Sequence, residues 1–319
     1  MKKTLLCVLF SLFSVIAIFS QEKKSPFTYD MIVDATYHPY ADYIPGGNHY
    51  SKISGPFDGM EARVIGNMNY TIPVPLGNHW LLNDTNVMLQ ANIEISPITI
   101  KPGIHVDFTP VPFLVFSAGA QIGSGWNLGE ILGIGKYNGT DKFEAFSPFE
   151  AWLMRWYVSG TFQFDTGAVW PGDWNHFQLM YTYQMYYEAL SNVRDGDIWM
   201  WQNGSNMANG LSSLQTLIVA YEMPLVLSRV GCMFEIEGHY SASDYPGYEN
   251  FKGDFLMMSI NPLCQFTFDD KNRITLVGTF KTRRSFAEPH ERSAEEIKLT
   301  YTGYEWYFQR FVIRYEHKF

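Results

Sequence analysis

The sequence predicts an all-β fold: one antiparallel transmembrane β-barrel, most simply of twelve strands. Apolar and polar residues alternate with a period of two along most of the chain, which is the side-chain period of a β-strand. Aromatic residues make up 17% and hydrophobic residues 46% of the sequence, yet the apolar residues are dispersed instead of gathered in runs. After residue 20 no long uncharged apolar stretch remains, which excludes a bundle of membrane-spanning helices. A barrel with a lipid-facing outer wall and aromatic girdles accounts for all three observations.

The N-terminal segment has the layout of a secretory signal peptide. Two lysines precede an apolar run from Leu5 to Phe19, and a polar stretch begins at Gln21. The apolar run is shorter than the about 20 residues that a membrane-spanning helix needs, although an uncleaved N-terminal anchor is the alternative. We therefore expect residues 1–20 to be a signal peptide and residues 21–319 to form one barrel domain.

Charge and cysteine content exclude several classes of protein. The chain has a formal net charge of −9, and loss of the leader lysines would make it more acidic. An acidic chain is a poor partner for nucleic acid or for anionic lipid headgroups. Loss of the leader, which contains Cys7, would leave Cys232 and Cys264, too few for a disulfide scaffold. We expect them to be separate lipid-facing residues, with a disulfide between adjacent strands as the alternative. The eight histidines show no metal-binding spacing, so no metal or cofactor is expected.

The predicted strands follow one another in regular order. They cover residues 28–38, 61–72, 87–96, 98–108, 113–123, 152–165, 177–188, 211–223, 228–241, 252–268, 273–286 and 302–319. The long connections would all lie at one end, namely residues 39–57, 124–149, 191–209, 242–251 and 287–300. Long loops outside and short turns inside are the arrangement of outer-membrane barrels. The short turn at Pro97 and the long connection at 73–84 depart from it, so ten or fourteen strands are alternatives.

Each strand is assigned from its alternation. In the first, apolar Tyr29, Met31, Val33, Ala35 and Tyr37 alternate with a mostly polar set, Asp30, Ile32, Asp34, Thr36 and His38. A later strand sets Phe177, Leu179, Tyr181, Tyr183, Met185 and Tyr187 against Gln178, Thr182, Gln184 and Glu188. A soluble all-β sandwich would also alternate. A continuous aromatic face opposite a charged face in nearly every strand favours the barrel, whose closure satisfies every backbone group in lipid.

The last strand ends on an aromatic residue, Phe319. One register contains His317, Tyr315, Ile313, Phe311, Gln309 and Tyr307, and the other contains Lys318, Glu316, Arg314, Val312, Arg310 and Phe308. This ending resembles the closing strand of bacterial outer-membrane β-barrel proteins, in which a terminal Phe serves as an assembly signal. The resemblance implies a location in the bacterial outer membrane. It also implies two partners, the membrane lipid and the assembly machinery that acts on the C-terminal strand. The end of the leader is similar to spirochaetal exports.

Charged residues of the polar register are the candidates for solute binding and selectivity. If the apolar register faces lipid, the other register lines the lumen, where charges must be paired or hydrated. The candidates are Asp30, Asp34, Glu61, Arg63, Glu94, Lys101, Asp107, Arg155, Glu188, Glu235, Glu237, His239, Arg283, Arg310 and Arg314, with Lys281 among the further lumen charges. They are interpreted either as a salt-bridge filling that holds a small barrel shut or as the lining of a selective hydrated pore.

Closure of the barrel makes the first and last strands neighbours. Asp30 and Asp34 are therefore expected beside Arg310 and Arg314, as an acid–base seam that specifies register. Residues 124–149 are expected to form an outer loop that folds into the barrel or remains outside it. The pair Trp199 and Trp201 lies in another outer loop, where an interfacial position or a sugar- or lipid-binding role are the alternatives.

Three functions are compatible with these features. The favoured one is a narrow channel or passive transporter for a small solute, because the lining carries both signs of charge and no catalytic constellation. The alternative is a non-transporting surface barrel whose outer loops bind a partner. The third is a lipid hydrolase that uses His239 and Ser241, since alternation brings both side chains to one strand face. The pair resembles the His-x-Ser pair of outer-membrane phospholipases and lipid A deacylases, in which Asn follows the serine. Because Ala242 stands at that position here, we expect no enzyme activity.

Overall fold

Twelve antiparallel strands form a closed barrel, in which the first strand pairs with the last. The computed structural model describes residues 27–74, 77, 81–82, 85–202, 204–291 and 293–319. The predicted signal peptide, residues 1–20, lies outside the described residues. The predicted fold class and strand number are confirmed, and the sandwich and the ten- and fourteen-strand alternatives are wrong.

Five short strands accompany the twelve that form the wall. In chain order the strands are β1 (Phe27–Ala41), β2 (His49–Ser51), β3 (Ile53–Pro73), β4 (Asn86–Ile95), β5 (Thr99–Val111), β6 (Leu114–Gly125), β7 (Ile134–Tyr137), β8 (Phe143–Ala145), β9 (Trp152–Asp165), β10 (His176–Leu190), β11 (Trp199–Trp201), β12 (Gly204–Met207), β13 (Gly210–Glu222), β14 (Leu227–His239), β15 (Met257–Thr267), β16 (Asn272–Phe286) and β17 (Tyr301–Lys318). The wall consists of β1, β3–β6, β9, β10 and β13–β17.

The two faces of the wall differ in chemistry, as the period-two alternation predicts. Outward side chains are large, apolar and exposed, among them Phe116, Trp156 and Ile313. Inward side chains are polar and mostly shielded, as at Asp34 and Thr279. An apolar outer wall suits hydrocarbon, and a closed sheet leaves no unpaired edge within it. No helix in the described part of the chain is long and apolar enough to cross a membrane.

A β-bulge in β17 changes which side chains face inward. Thr279 pairs with Arg310, whereas the next residue, Phe280, pairs with Phe308, so one residue of β17 is left over. Beyond such a bulge every side chain exchanges face. Phe308 therefore points outward, with its ring centroid 5.1 Å from that of Phe280. Tyr307 turns into the barrel, and the prediction that Tyr307 faces out and Phe308 faces in is wrong.

The seam between β1 and β17 is continuous over only part of its length. Pairing runs from Asp30 opposite Lys318 to Tyr37 opposite Phe311. Beyond that point β2 lies parallel to β17 at residues 305–307. Because β2 belongs to the connection that follows β1, a loop segment completes the hydrogen bonding of β17 at this end.

The long connections at one end fold together into a cap, which we define as the described parts of residues 126–151, 191–209, 240–256 and 287–300. Within it, β8, β7, β11 and β12 form a four-stranded sheet. A buried apolar cluster takes residues from every one of these connections: Tyr137, Ile198, Ala208, Tyr245, Phe251, Ala294 and Ile297, together with Phe286 of the wall. The cap is therefore packed like the core of a small domain.

The cap crosses the barrel mouth from one side to the other. Lys298, in the connection between β16 and β17, donates a hydrogen bond to the carbonyl of Gly139, in the connection between β6 and β9. These two connections lie half of the twelve-strand circuit apart. Trp199 and Trp201 of the cap sheet are buried, at 0% and 8% exposure. Both alternatives for this pair, an interfacial belt and a ligand-binding surface, are therefore wrong. We call this end the cap end and the opposite end, with Phe27 and Phe319, the terminal end.

Candidate functional site

A ladder of alternating charges crosses five neighbouring strands on the inner wall. Its order is Arg314 on β17, Asp34 on β1, Arg63 on β3, Glu94 on β4 and Lys101 on β5. Asp34 accepts from Nε and Nη2 of Arg314 at 2.8 and 2.9 Å and from Nε of Arg63 at 2.8 Å. Glu94 lies 3.3 Å from Nη1 of Arg63 and 3.4 Å from Nζ of Lys101. Every neighbour in the ladder thus carries the opposite charge.

In this ladder the acidic side chains are less exposed than those of the two arginines. The carboxylates of Asp34 and Glu94 lie against the wall, with 3% and 11% of the side chain exposed. The side chains of Arg63 and Arg314 stay 42% and 40% exposed. Since these residues face inward from the body of their strands, the interior beside them is open to water. The lumen here presents positive charge, and the carboxylates hold it in place.

A second network occupies the inner wall near the cap end. Arg155 lies 3.5 Å from Oε2 of Glu188, and its guanidinium stacks on the Tyr186 ring at 3.7 Å from the centroid. The Tyr186 hydroxyl donates to Oε1 of Glu237 at 2.9 Å. Cation–π stacking and a charge-assisted hydrogen bond join β9, β10 and β14 beneath the cap.

A third network ties the wall to the connection that follows β1. Nε of Arg283 donates to Glu305, whose other oxygen lies 3.0 Å from Nε2 of His49. The Arg283 guanidinium also lies over the rings of Tyr43 and Tyr307, at 3.9 and 4.6 Å. Glu305 therefore links Arg283 of β16 to His49 of β2, where the β1–β17 pairing has ended.

The structure places the predicted lumen residues on the inner face and brings most of them together. The three networks contain Asp34, Arg63, Glu94, Lys101, Arg155, Glu188, Glu237, Arg283 and Arg314. Asp30, Glu61, Asp107, Glu235 and His239 instead contact local polar partners on the same or adjacent elements. Arg310 belongs to none of these groups.

Half of the predicted acid–base seam is present. The Asp34–Arg314 pair is confirmed. The prediction that Asp30 and Arg310 also meet in this seam is wrong, because residue numbers increase in opposite directions along two antiparallel strands. Moving down β1 from Asp34 leads toward the end of β17, so Asp30 lies opposite Lys318. Its carboxylate accepts from the amides of Asn67 and Asn69 at 2.5 and 3.1 Å.

His239 and Ser241 take separate partners. Nδ1 of His239 lies 2.8 Å from Oδ2 of Asp244. The Ser241 hydroxyl hydrogen-bonds with that of Ser243 at 2.7 Å and also accepts from the Ser243 backbone. A nucleophilic serine requires a base within hydrogen-bond reach. The arrangement therefore gives the hydrolase hypothesis no support.

Several lining residues were not predicted. Tyr186 belongs to the polar register of its strand, and this position alone would have predicted that it faces the lumen. It was not included because the residue is aromatic. Tyr307 and Glu305 face inward because of the bulge in β17, which no local sequence feature marks. His49 reaches the lumen wall from a connection, and only the tertiary fold brings it there.

The remaining sequence candidates carry no site. Cys232 and Cys264 lie on adjacent strands, opposite Pro262 and Val230 respectively, and are free, so the prediction of separate cysteines is confirmed. Within the described ranges no group of three or more His, Cys, Asp or Glu side chains could hold a metal ion. Residues 124–149 fold across the barrel mouth as part of the cap.

Tyr245 makes the stability of the cap depend on pH. Burial raises the pKa of its phenol to about 12. Its hydroxyl donates to the carbonyl of Asn206 at 3.1 Å, which joins two cap connections. A folded-state pKa above the unfolded value of about 10 gives a contribution that is complete below about pH 10 and is lost as pH rises to about 12.

We therefore expect the cap to unfold at a lower guanidinium concentration at about pH 11.5 than at about pH 9, because its free energy of unfolding falls by about 2 kcal/mol. Tryptophan fluorescence follows the transition, since Trp199 and Trp201 lie in the cap. Tyr245→Phe should show a smaller loss over the same interval. An equal loss in both proteins would contradict the assignment.

Similarity to known proteins is found among solved structures. No protein-family model matches the chain. No curated protein matches it. Among solved structures, an outer membrane channel from Pseudomonas putida F1 superposes with a TM-score of 0.48 at 9% identity, over 95% of this chain and 98% of that one. The KdgM porin gives 0.38 at 8% identity, over 91% and 99%. The translocator domain of the autotransporter NalP from Neisseria meningitidis gives 0.38 at 9%, over 100% and 96%. At such identities the likeness concerns the fold alone.

Proposed function

We propose that this chain is an outer-membrane β-barrel channel for passive diffusion of a small solute, with the cap controlling access. The supporting observation is the exposure of the Arg63 and Arg314 side chains inside the barrel, at 42% and 40%. A barrel filled with paired side chains would bury both. The membrane lipid around the apolar wall and the assembly machinery that acts on the closing strand are partners in this proposal.

The cap sets the expected size of the channel. It crosses the mouth between two connections that lie half of the circuit apart. Solute must therefore pass beside the cap or through it after it moves. Intact protein is expected to show small conductance steps, and protein with a shortened cap is expected to show larger steps.

Single-channel recording in planar bilayers tests this. The cap variant replaces residues 127–148, which include β7 and β8, with a short Gly-Ser linker. The matched control shortens residues 167–174, which connect β9 and β10 at the terminal end. The control should conduct like the intact protein. Absence of steps from every variant, each shown to be folded by heat-modifiable gel mobility, would refute the channel.

A second function is favoured by the packing of the cap. Phe251 and Trp199 are 0% exposed, so the cap presents a fixed surface at the barrel mouth. Such a surface suits a non-transporting barrel that binds a partner through its loops. Silence of both the intact and the cap-shortened protein in the same recordings is the result that supports this second function.

A further inference from the structure

We infer that the inner face of β16 and β17 is a binding column for small carboxylate-bearing anions, which names the solute class of the proposed channel and rests on that proposal. The column consists of Arg314 and Arg310 on β17 and Lys281 and Arg283 on β16. Arg310 lies opposite Thr279, and Lys281 lies opposite Tyr307. All four positions face the lumen, because Phe280 and Phe311 between them are exposed on the outer wall.

The two ends of the column are neutralised and the middle is not. Arg314 is paired with Asp34, and Arg283 is paired with Glu305. Among the described residues, no carboxylate lies within the 4.0 Å ion-pair distance of Arg310 or Lys281. These two cations occupy successive inward positions on adjacent strands, in a chain whose net charge is −9. Uncompensated charges facing a barrel interior are costly unless hydrated or neutralised by a ligand.

Arg310 has a further unmet requirement. Its Nε is shielded from solvent and has no hydrogen-bond acceptor. A buried donor without an acceptor costs free energy that an incoming acceptor would recover. A carboxylate suits this guanidinium, because its two oxygens match the planar fork of N–H donors.

Neighbouring carboxylates are engaged elsewhere. Glu235, two strands from Lys281, accepts from the Ser259 hydroxyl at 2.9 Å and from the Asn261 amide at 3.1 Å. Glu61 lies 2.8 Å from Nε2 of His38. Tyr307, which lies opposite Lys281, adds a neutral aromatic surface. Arg310 and Lys281 therefore add two positive charges without a paired carboxylate to this part of the wall, in a chain whose net charge is negative.

The first arm of the test is ion selectivity. Reversal potentials in a KCl gradient are recorded for the native protein and for the double variant Arg310→Gln/Lys281→Gln, both with the cap shortened if intact protein conducts poorly. The native channel should favour chloride over potassium, and the double variant should lose about tenfold of that preference. The control double variant Arg229→Gln/Arg273→Gln removes two lumen cations that already face Glu222 and Glu316, and should shift selectivity less.

The second arm identifies the anion. Citrate added to the bath should block the chloride current of the native channel, whereas equal phosphate should block it less and the double variant should be insensitive to both. A conducting channel that prefers potassium, or a double variant that is unchanged, would refute the column and leave the channel standing. If the double variant does not fold, the sign of the native reversal potential decides.

Failure of the channel itself has a separate signature. If no variant conducts, the proposed function fails, and calorimetric titration of citrate into detergent-refolded native protein decides the column. Binding that is at least about tenfold tighter to native protein than to the double variant supports it. Equal or absent binding refutes it.

Discussion

Replacement of Asp34 with Asn is expected to destabilise the barrel by about 3 kcal/mol, the lower end of the cost of breaking a buried ion pair from one side. The Asp34 carboxylate is 3% exposed and accepts from both Arg63 and Arg314. Without it, the guanidinium groups of Arg63 on β3 and Arg314 on β17 lie on either side of β1 with no anion between them. Their exposure of about two fifths allows water to offset part of the repulsion, which places the cost at the lower end.

Guanidinium titration of the refolded protein, monitored by gel mobility, measures this loss of stability. Asp30→Asn is the matched control on the same strand. Its partners Asn67 and Asn69 are neutral amides, so the loss should stay near about 1 kcal/mol. The triple variant Asp34→Asn/Arg63→Gln/Arg314→Gln should regain stability, because no isolated charge remains. Equal losses for the two single variants would show that the seam pair does not hold the barrel closed.

Trp199→Ala is expected to cost the cap about 3–5 kcal/mol, the usual penalty for truncating a fully buried Trp. Trp199 is 0% exposed, packs with Ile134, Leu190 and Trp201, and donates from Nε1 to Asn209 at 3.0 Å. The loss falls on the cap, because β11 belongs to the cap sheet and not to the barrel wall. The barrel should therefore remain closed while the cap opens.

Limited proteolysis with mass mapping distinguishes the two regions. Cleavage should appear within residues 126–151 and 191–209 of the variant, and heat-modifiable mobility of the barrel should persist. Trp170→Ala is the matched control at the terminal end, since Trp170 is 62% exposed and should behave like native protein. Unchanged protection of the cap in Trp199→Ala would contradict a cap that is held by its own core.

Period-two alternation was sufficient to predict the wall of the barrel. Successive side chains of a strand point to opposite faces, so the alternation predicts the strand, its two faces and the chemistry of each face. The positions of Asp34, Arg63 and Arg314 on one face follow from that pattern, and barrel closure makes the Asp34–Arg314 pair a geometric consequence. The prediction that placed Asp30 and Arg310 in the same seam overlooked that the first and last strands are antiparallel. The same closure argument, applied with the strand directions, would have corrected it.

The bulge in β17 marks the limit of this reasoning. One extra residue between Arg310 and Phe308 exchanges the faces of the side chains on its N-terminal side, such as Tyr307 and Glu305. Its signal is absent from the local sequence, because both registers of the segment contain aromatic residues. The inward positions of Tyr307 and Glu305 were consequently not predicted, nor was the pairing of β2 with β17 beside them.

The sequence by itself determined a twelve-strand barrel with an apolar outer wall and a charged interior, because those properties are local to each strand and repeat along the chain. Only the tertiary structure decided which charges meet, where Arg310 and Lys281 are left without a carboxylate, and how the long connections pack. These outcomes depend on register, on one bulge and on contacts between connections half a circuit apart. Such contacts join residues far apart in the chain, and no local period encodes them.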